Sequence, residues 1–437
     1  MTPTLLVLAL AWLAGLPVSL LLDRQRRPSA RAGESLLFGA GVVWCAVMLL
    51  ALTGAGWSGP GFIIAMSCVV ITLWAFAGRR LRNAVLLPRP GVFDLLTLAI
   101  VIGYILFATA ASPWEFDYLT DFGLKARAFW EHGGIDWGFL QSVFIRSFHA
   151  DYPLLLPSLY DAVAMVSGAW NDRFLGLLNV AFGVAAVGVV RSELADEVST
   201  PRLAALATAA ITPLLLSPWI GMADGPLCAY ITVALLRLRR SLRAGEVSLA
   251  GVILLGLGAC TKNEGVAMIA AAAIALFVMT SWRAALRLGP AVLMALPWMI
   301  LARIHGLGND LAEGSVADRV LAHLRNPESI LRPLANAPVG KSLMWAGLLL
   351  GAIVCGRLLV RERFTLAAIA LQFVFYLSAY LTTPHDTEWH VHWSWERVVS
   401  QIVPTLVCVF VVTLLAIAFP KPEQGQGLAD ATAPSTV

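Results

Sequence analysis

Residues 4–22 read TLLVLALAWLAGLPVSLLL and residues 35–53 read SLLFGAGVVWCAVMLLALT, two runs without a single charge, separated by the basic stretch DRQRRPSAR at 23–31. A helix rises about 1.5 Å per residue, so roughly 20 apolar residues cross the ~30 Å hydrocarbon layer of a bilayer. Similar runs follow to the far end of the chain, at 62–77, 95–112, 174–190, 203–218, 225–238, 248–261, 265–280, 289–303, 343–359, 364–382 and 398–419. The 437 residues are 59% hydrophobic and 13% charged, about half the charged share of an ordinary soluble domain. A soluble enzyme is excluded. The strict polar–apolar alternation of an outer-membrane barrel is absent from these runs. The expected fold is all-α: a polytopic transmembrane helical bundle of about 13 spans.

Basic residues mark the cytoplasmic side of membrane helices, and their placement matters more than the net charge of +4. Putting the clusters Arg24–Arg31, Arg79–Arg89, Arg191–Arg202, Arg237–Arg243, Arg283–Arg287, Arg357–Arg363 and Lys421 in the cytoplasm collects 20 of the 31 Lys and Arg there, and leaves all seven histidines outside. The N-terminus then lies outside, with the first helix retained. The six cysteines fall within apolar runs and read as small packing residues. Nothing suggests nucleic acid as a partner; the partner that composition demands is the lipid bilayer.

The segment 153–170, PLLLPSLYDAVAMVSGAW, is apolar but carries two prolines and Asp161. A crossing here would invert every later loop, so it is expected to be interfacial or re-entrant. The chain is then one transmembrane domain over 1–419. It comprises a four-helix part at 1–112, a large outer loop at 113–152, and the remaining bundle at 153–419 with outer loops 304–342 and 383–397. A disordered cytoplasmic tail follows at 420–437.

The polar chemistry gathers on the outer side. In PWEFDYLTDFGLKARAFWEHGG, Pro113 suits a first helical turn and Gly133-Gly134 an end. Asp117, Asp121 and Lys125 then share a face of an interfacial helix presenting two carboxylates. The plain reading is a solvated amphipathic helix; the functional one is a general base beside the bilayer. SFHADYPLLLP returns the chain to the membrane through His149, Asp151 and Tyr152, equally suited to a structural corner. Asp224, in MADGPL, caps a helix or faces the site. TKNEG sets Lys262, Asn263 and Glu264 together at a span's end, where Lys262 can hold a phosphate as a point charge. TTPHDTEWHVHWSWER holds His385, His390 and His392 beside Asp386 and Glu388. An H-x-H pair without a second cluster is weak ground for zinc, so no residue is assigned as a metal ligand, while a divalent metal stays open as a cofactor. Arg397 has the fork for a bidentate phosphate contact.

These residues, in this order, resemble the GT-C class of integral-membrane glycosyltransferases, in particular its protein O-mannosyltransferase-like and lipid A aminoarabinose transferase-like branch. The resemblance covers residues 113–280 and, more weakly, 383–404. It rests on the acidic first outer loop (EFDYLTDFGLKARAF), the re-entry HADYPLLLP, MADGPL, TKNEG and WERVVSQIVP. It departs in having three helices before the acidic loop where one is typical, and in lacking a large C-terminal outer domain. It implies a polyprenyl-phosphate-linked sugar as donor and a glycolipid, polysaccharide or protein as acceptor. Asp117, with Asp121 as the alternative, would be the catalytic base, and Lys262 and Arg397 would hold the donor phosphate. Lys125, His149, Asp151, Tyr152, Asp224, Asn263, Glu264 and His390 complete the expected substrate site. A phosphate leaving group is already stable as an anion, so a single inverting displacement needs a base but no separate acid. The composition points to a bacterial inner membrane with the site facing the periplasm. The alternatives are a lipid or solute transporter and a non-catalytic scaffold subunit; the scarcity of mid-span charge disfavours transport.

Overall fold

The computed structural model describes residues 1–23, 27–78, 90–146, 148–216, 220–308, 314–337, 356 and 360–419. The described residues are helical throughout, with no strand. The chain opens with α1 (Thr2–Leu22), α2 (Pro28–Leu52), α3 (Gly59–Ala77) and α4 (Val92–Ala110). The 113–152 region forms α5 (Gly123–His132) and the short α6 (Trp137–Leu140) and α7 (Val143–Arg146). Then come α8 (Leu155–Ser167), α9 (Gly176–Glu197), α10 (Pro201–Leu215), α11 (Asp224–Arg243), α12 (Leu249–Ala259), α13 (Asn263–Met279), α14 (Trp282–Leu286) and α15 (Gly289–Ile304). α16 (Val316–Arg325) and α17 (Glu328–Asn336) precede α18 (Arg363–Thr382), α19 (Thr387–Ser400) and α20 (Val403–Ala418).

Twelve of the thirteen expected spans coincide with helices here; the thirteenth, 343–359, lies outside the described residues but for Gly356, and so does the tail 420–437. Among the described residues, seven helical stretches are long and apolar enough to cross a membrane: α1 to α4, α9, Val360–Thr382 and the continuous Thr387–Ala418. Two segments between the spans are helical. The outer loop at 383–397 is largely helix: Asp386 accepts from the Trp389 amide to start α19, which runs into α20 through Gln401 and Ile402. Segment 153–170 folds as α8, 13 residues long, about 20 Å, too short to cross, and buried against α1, α2, α3 and α5.

Local chemistry explains the ends. Ser58, Ser248, Ser281 and Ser315 each accept a hydrogen bond from the amide three residues on, and proline occupies a first-turn position in α1, α2, α3, α10 and α15. α1 and α2 meet backbone to backbone: a Cβ on Gly15 would lie 1.7 Å from the Ser35 carbonyl oxygen, and one on Gly39 1.7 Å from that of Ala11. Small residues permit such approach where helices associate through van der Waals contact. α3 and α4 turn apolar side chains outward, Ile71, Phe76 and Leu106 among them. Such surface fits lipid as the surrounding solvent.

The axis of the bundle is α11, buried continuously from Asp224 to Arg239. Its two ends are polar. At one, Arg237 bonds Asp23 and Glu34 at 2.6 and 2.8 Å, and Arg239 bonds Glu362 at 2.6 Å and also Glu197. At the other stands Asp224, roughly 20 Å away by helical rise.

Candidate functional site

The acidic segment does not form the helix expected of it. The first turn starts at Phe116, and Tyr118–Phe122 make a wide π turn before α5. Gly123 closes this turn against the Tyr118 ring, where a Cβ would come within 2.5 Å. A π turn inserts a residue into the helical repeat, so Asp117 and Asp121 no longer share a face. Asp121 is buried and paired with Lys125, itself fully buried, so the helix does not present two carboxylates. The expected ending holds: Gly133 adopts a left-handed conformation, φ 78°, and stops α5.

Asp117 is held by Arg397. The guanidinium donates from both terminal nitrogens to both carboxylate oxygens, at 3.0 and 2.7 Å. Arg397 Nε is 3.9 Å from Asp224 Oδ2. Asp224 Oδ1 accepts from Lys262 Nζ at 3.0 Å and from Gln401 Nε2 at 2.6 Å. Lys262 also contacts Glu264 at 3.0 Å. Five charges of alternating sign therefore run Asp117, Arg397, Asp224, Lys262, Glu264. Both expected phosphate contacts are engaged by carboxylates in this structure.

Tyr152 forms the floor between two cations. Its ring centre lies 5.8 Å from Lys125 Nζ and 5.7 Å from Lys262 Nζ, with His149 stacked on it at 4.4 Å and Phe122 at 5.9 Å. His149 has φ 59°, and its carbonyl accepts from Lys125 at 2.6 Å. Asp151 accepts from Asn263 at 2.7 Å through its side chain and from the Trp298 indole at 2.7 Å through its carbonyl.

Burial raises the Asp121 carboxyl to about 6, against the opposing pull of the Lys125 ammonium. Burial likewise raises Glu115, which Arg397 partly offsets. Burial alone would lower the Lys262 ammonium, but the Asp224 and Glu264 carboxylates reverse that and raise it. Lys262 is thus a fixed cation.

A cavity of about 150 Å³ opens above this chain of charges, walled by Tyr152, Lys262, Glu264, Arg397, Tyr380 and His390. His390 shares a 2.8 Å hydrogen bond with Thr383. Among the described residues no three His, Cys, Asp or Glu side chains gather to hold a metal. Beside it runs an apolar groove of about 850 Å³ between α13, α15 and α18, lined by Ala270, Ile274, Met299 and Val374, with Asp151, Arg146 and Arg303 also on its wall. Asn263 and Phe375 line both spaces.

All twelve site residues singled out in the sequence come to this one end of the bundle. Missed were Gln372, Tyr376, Tyr380 and Gln401. Tyr376 donates to Gln401 at 2.6 Å, Gln372 to the Glu264 carbonyl at 3.0 Å, and Tyr380 shares a 2.9 Å bond with Ser394. The spacing of Gln372, Tyr376 and Tyr380 by four residues in an apolar run was the available signal.

No family model, no curated protein and no solved structure matches this chain.

Proposed function

We propose that this protein is a membrane glycosyltransferase that moves a sugar from a polyprenyl-phosphate donor to an acceptor hydroxyl on the outer face of a bacterial inner membrane. The observation that carries the reading is the apolar groove and the charged cavity meeting at Asn263 and Phe375. The former suits a long isoprenoid tail, and Lys262 and Arg397 on the wall of the latter suit the donor phosphate. The resemblance to GT-C enzymes supports the same assignment.

In this reading the donor phosphate competes with Asp117 for the Arg397 fork, while Lys262 supplies a second positive charge in a site largely shielded from water. Arg397 leaving Asp117 frees its carboxylate. The acceptor oxygen then attacks the anomeric carbon as its proton passes to Asp117; the bond from that carbon to the phosphate oxygen breaks, and polyprenyl phosphate departs as an anion. The anomeric centre inverts. Asp121, paired and buried, holds Lys125 rather than acting as base, and Lys125 in turn fixes the His149 carbonyl above Tyr152.

The test is transfer of radiolabelled sugar from defined polyprenyl-phosphate donors to a membrane extract, with purified protein and Asp117→Asn, with and without EDTA. Donor-dependent transfer that disappears in the variant supports the reading, and the EDTA arm reports on a divalent metal. Donor binding without consumption refutes it. One observation favours transport instead: Asp161 is fully buried in α8, and neither carboxylate oxygen has a hydrogen-bond partner among the described residues. Buried ionisable groups mark transport pathways in many membrane proteins. Asp161→Asn separates the two, since only a transporter should lose function through it.

A further inference from the structure

The basic end of the bundle holds a second cavity, of about 330 Å³, at the start of α18. Four arginines line it, Arg239, Arg243, Arg361 and Arg363, against one carboxylate, Glu362. Arg239 and Arg243 are committed to Glu197 and Glu362. Arg361 and Arg363 are exposed, with no ion pair found for either among the described residues. A neighbouring cavity of about 300 Å³ shares Arg243, Arg361 and Glu362 but adds Glu197, which makes it the less cationic of the two.

Two further features sit in the first cavity. Its wall includes the 3₁₀ turn Val360–Glu362 and the first turn of the 20-residue α18 that follows it without a break, and the N-terminal end of such a helical stretch carries partial positive charge. The third residue of α18, Thr365, is 1% exposed, and its hydroxyl has no hydrogen-bond partner among the described residues. Thr208 and Thr212, in α10, instead donate to the carbonyl four residues back, at 2.7 and 2.8 Å, while Thr413 in α20 shares the lack of a partner. A buried hydroxyl left without a partner costs free energy, and here it lies on the wall of a cationic cavity. Guanidinium forks, a helix N-terminus and a hydroxyl donor together make a receptor for a phosphate oxyanion.

Met279 and Phe364 also line the cavity, at the adjoining ends of α13 and α18. The anion is therefore met at the edge of the hydrocarbon layer, where headgroups lie. We propose that this cavity binds the phosphate of an anionic phospholipid from the adjacent leaflet, independently of the chemistry at the opposite end. Basic pockets between membrane helices recognise such headgroups.

Native mass spectrometry of the full-length protein in detergent tests this, with phosphatidylglycerol or phosphatidylcholine added and inorganic phosphate as competitor. Wild type should retain phosphatidylglycerol over phosphatidylcholine. Retention should fall about tenfold in the double variant R361Q/R363Q and measurably in T365V. Thermal unfolding of the variants checks that the fold persists. Displacement of the lipid by millimolar inorganic phosphate would assign the cavity to a soluble phosphate and overturn the lipid source. Equal retention by wild type and the double variant would overturn the site itself.

Discussion

Arg397 grips Asp117 with both arms of its guanidinium across 280 residues of sequence. The contact joins the first large polar loop to the last helical segment, and it places the proposed base under the control of the proposed phosphate ligand. Asp117→Asn keeps the shape of the side chain and removes its basicity, so transfer should fall about 10²–10⁴-fold, while donor affinity rises because the charged competitor for the Arg397 fork is gone. Arg397→Lys keeps the charge but loses the fork. Its donor KM should rise more than its kcat falls, and steady-state assays with varied donor read both.

Lys262 and Asp224 are almost completely buried, at 1% exposure each. Removing one partner unbalances the row of buried charges, and the remaining contacts of Lys262 with Glu264 and of Asp224 with Arg397 and Gln401 offset only part of a cost of about 3–5 kcal/mol. Lys262→Met and Asp224→Asn should each lower stability by up to that order, and the double variant by less than the sum of the two. Thermal and denaturant unfolding in detergent complete the cycle; additive losses would mean that the pair is not coupled.

Asp121 gives the stability a pH slope. In the fold its carboxyl keeps its proton up to about 6, above the ordinary 3.8, so the native state binds more protons than the unfolded chain in that window. Stability contributed by this group is full below about pH 4 and declines as the pH climbs through 6. Asp121→Asn should flatten the slope between these values. Melting curves at pH 4.5 and pH 7 compare the two proteins directly.

Ala270 lies on the apolar groove, away from the charged cavity. Ala270→Trp should fill part of the groove and raise the KM for a long-chain polyprenyl donor, while a donor with one or two isoprene units is used as before. Equal effects on both donors would separate the groove from the tail.

The sequence made the apolar helices and the polar residues of the site legible because both depend on local pattern. Charge-free runs of membrane length, and motifs such as TKNEG at their ends, need no partner to be recognised. What stayed hidden was pairing. Nothing local to Asp117 reveals that Arg397 will take it, and the four-residue spacing of Asp117 and Asp121 pointed to a shared face that the π turn at Tyr118–Phe122 divides. The outer segment 383–397 gave no helical pattern of its own to read, and its helix depends on Asp386 accepting from the Trp389 amide. Gln401 stood beside Ser400 at the head of an apolar run, and its contacts with Asp224 and Tyr376 are what explain it.

The glycine contact between α1 and α2 reaches beyond packing. Gly15 and Gly39 leave no space for even a methyl group between the two backbones, so this hairpin can close as soon as its own residues have emerged from the ribosome. The charged site cannot, because Arg397 comes 280 residues after Asp117, roughly half a minute of synthesis at ~10 residues per second. The acidic loop of a nascent chain thus waits for its counterion long after α1 and α2 are both made, and any chain released before residue 397 would leave Asp117 without the fork that holds it.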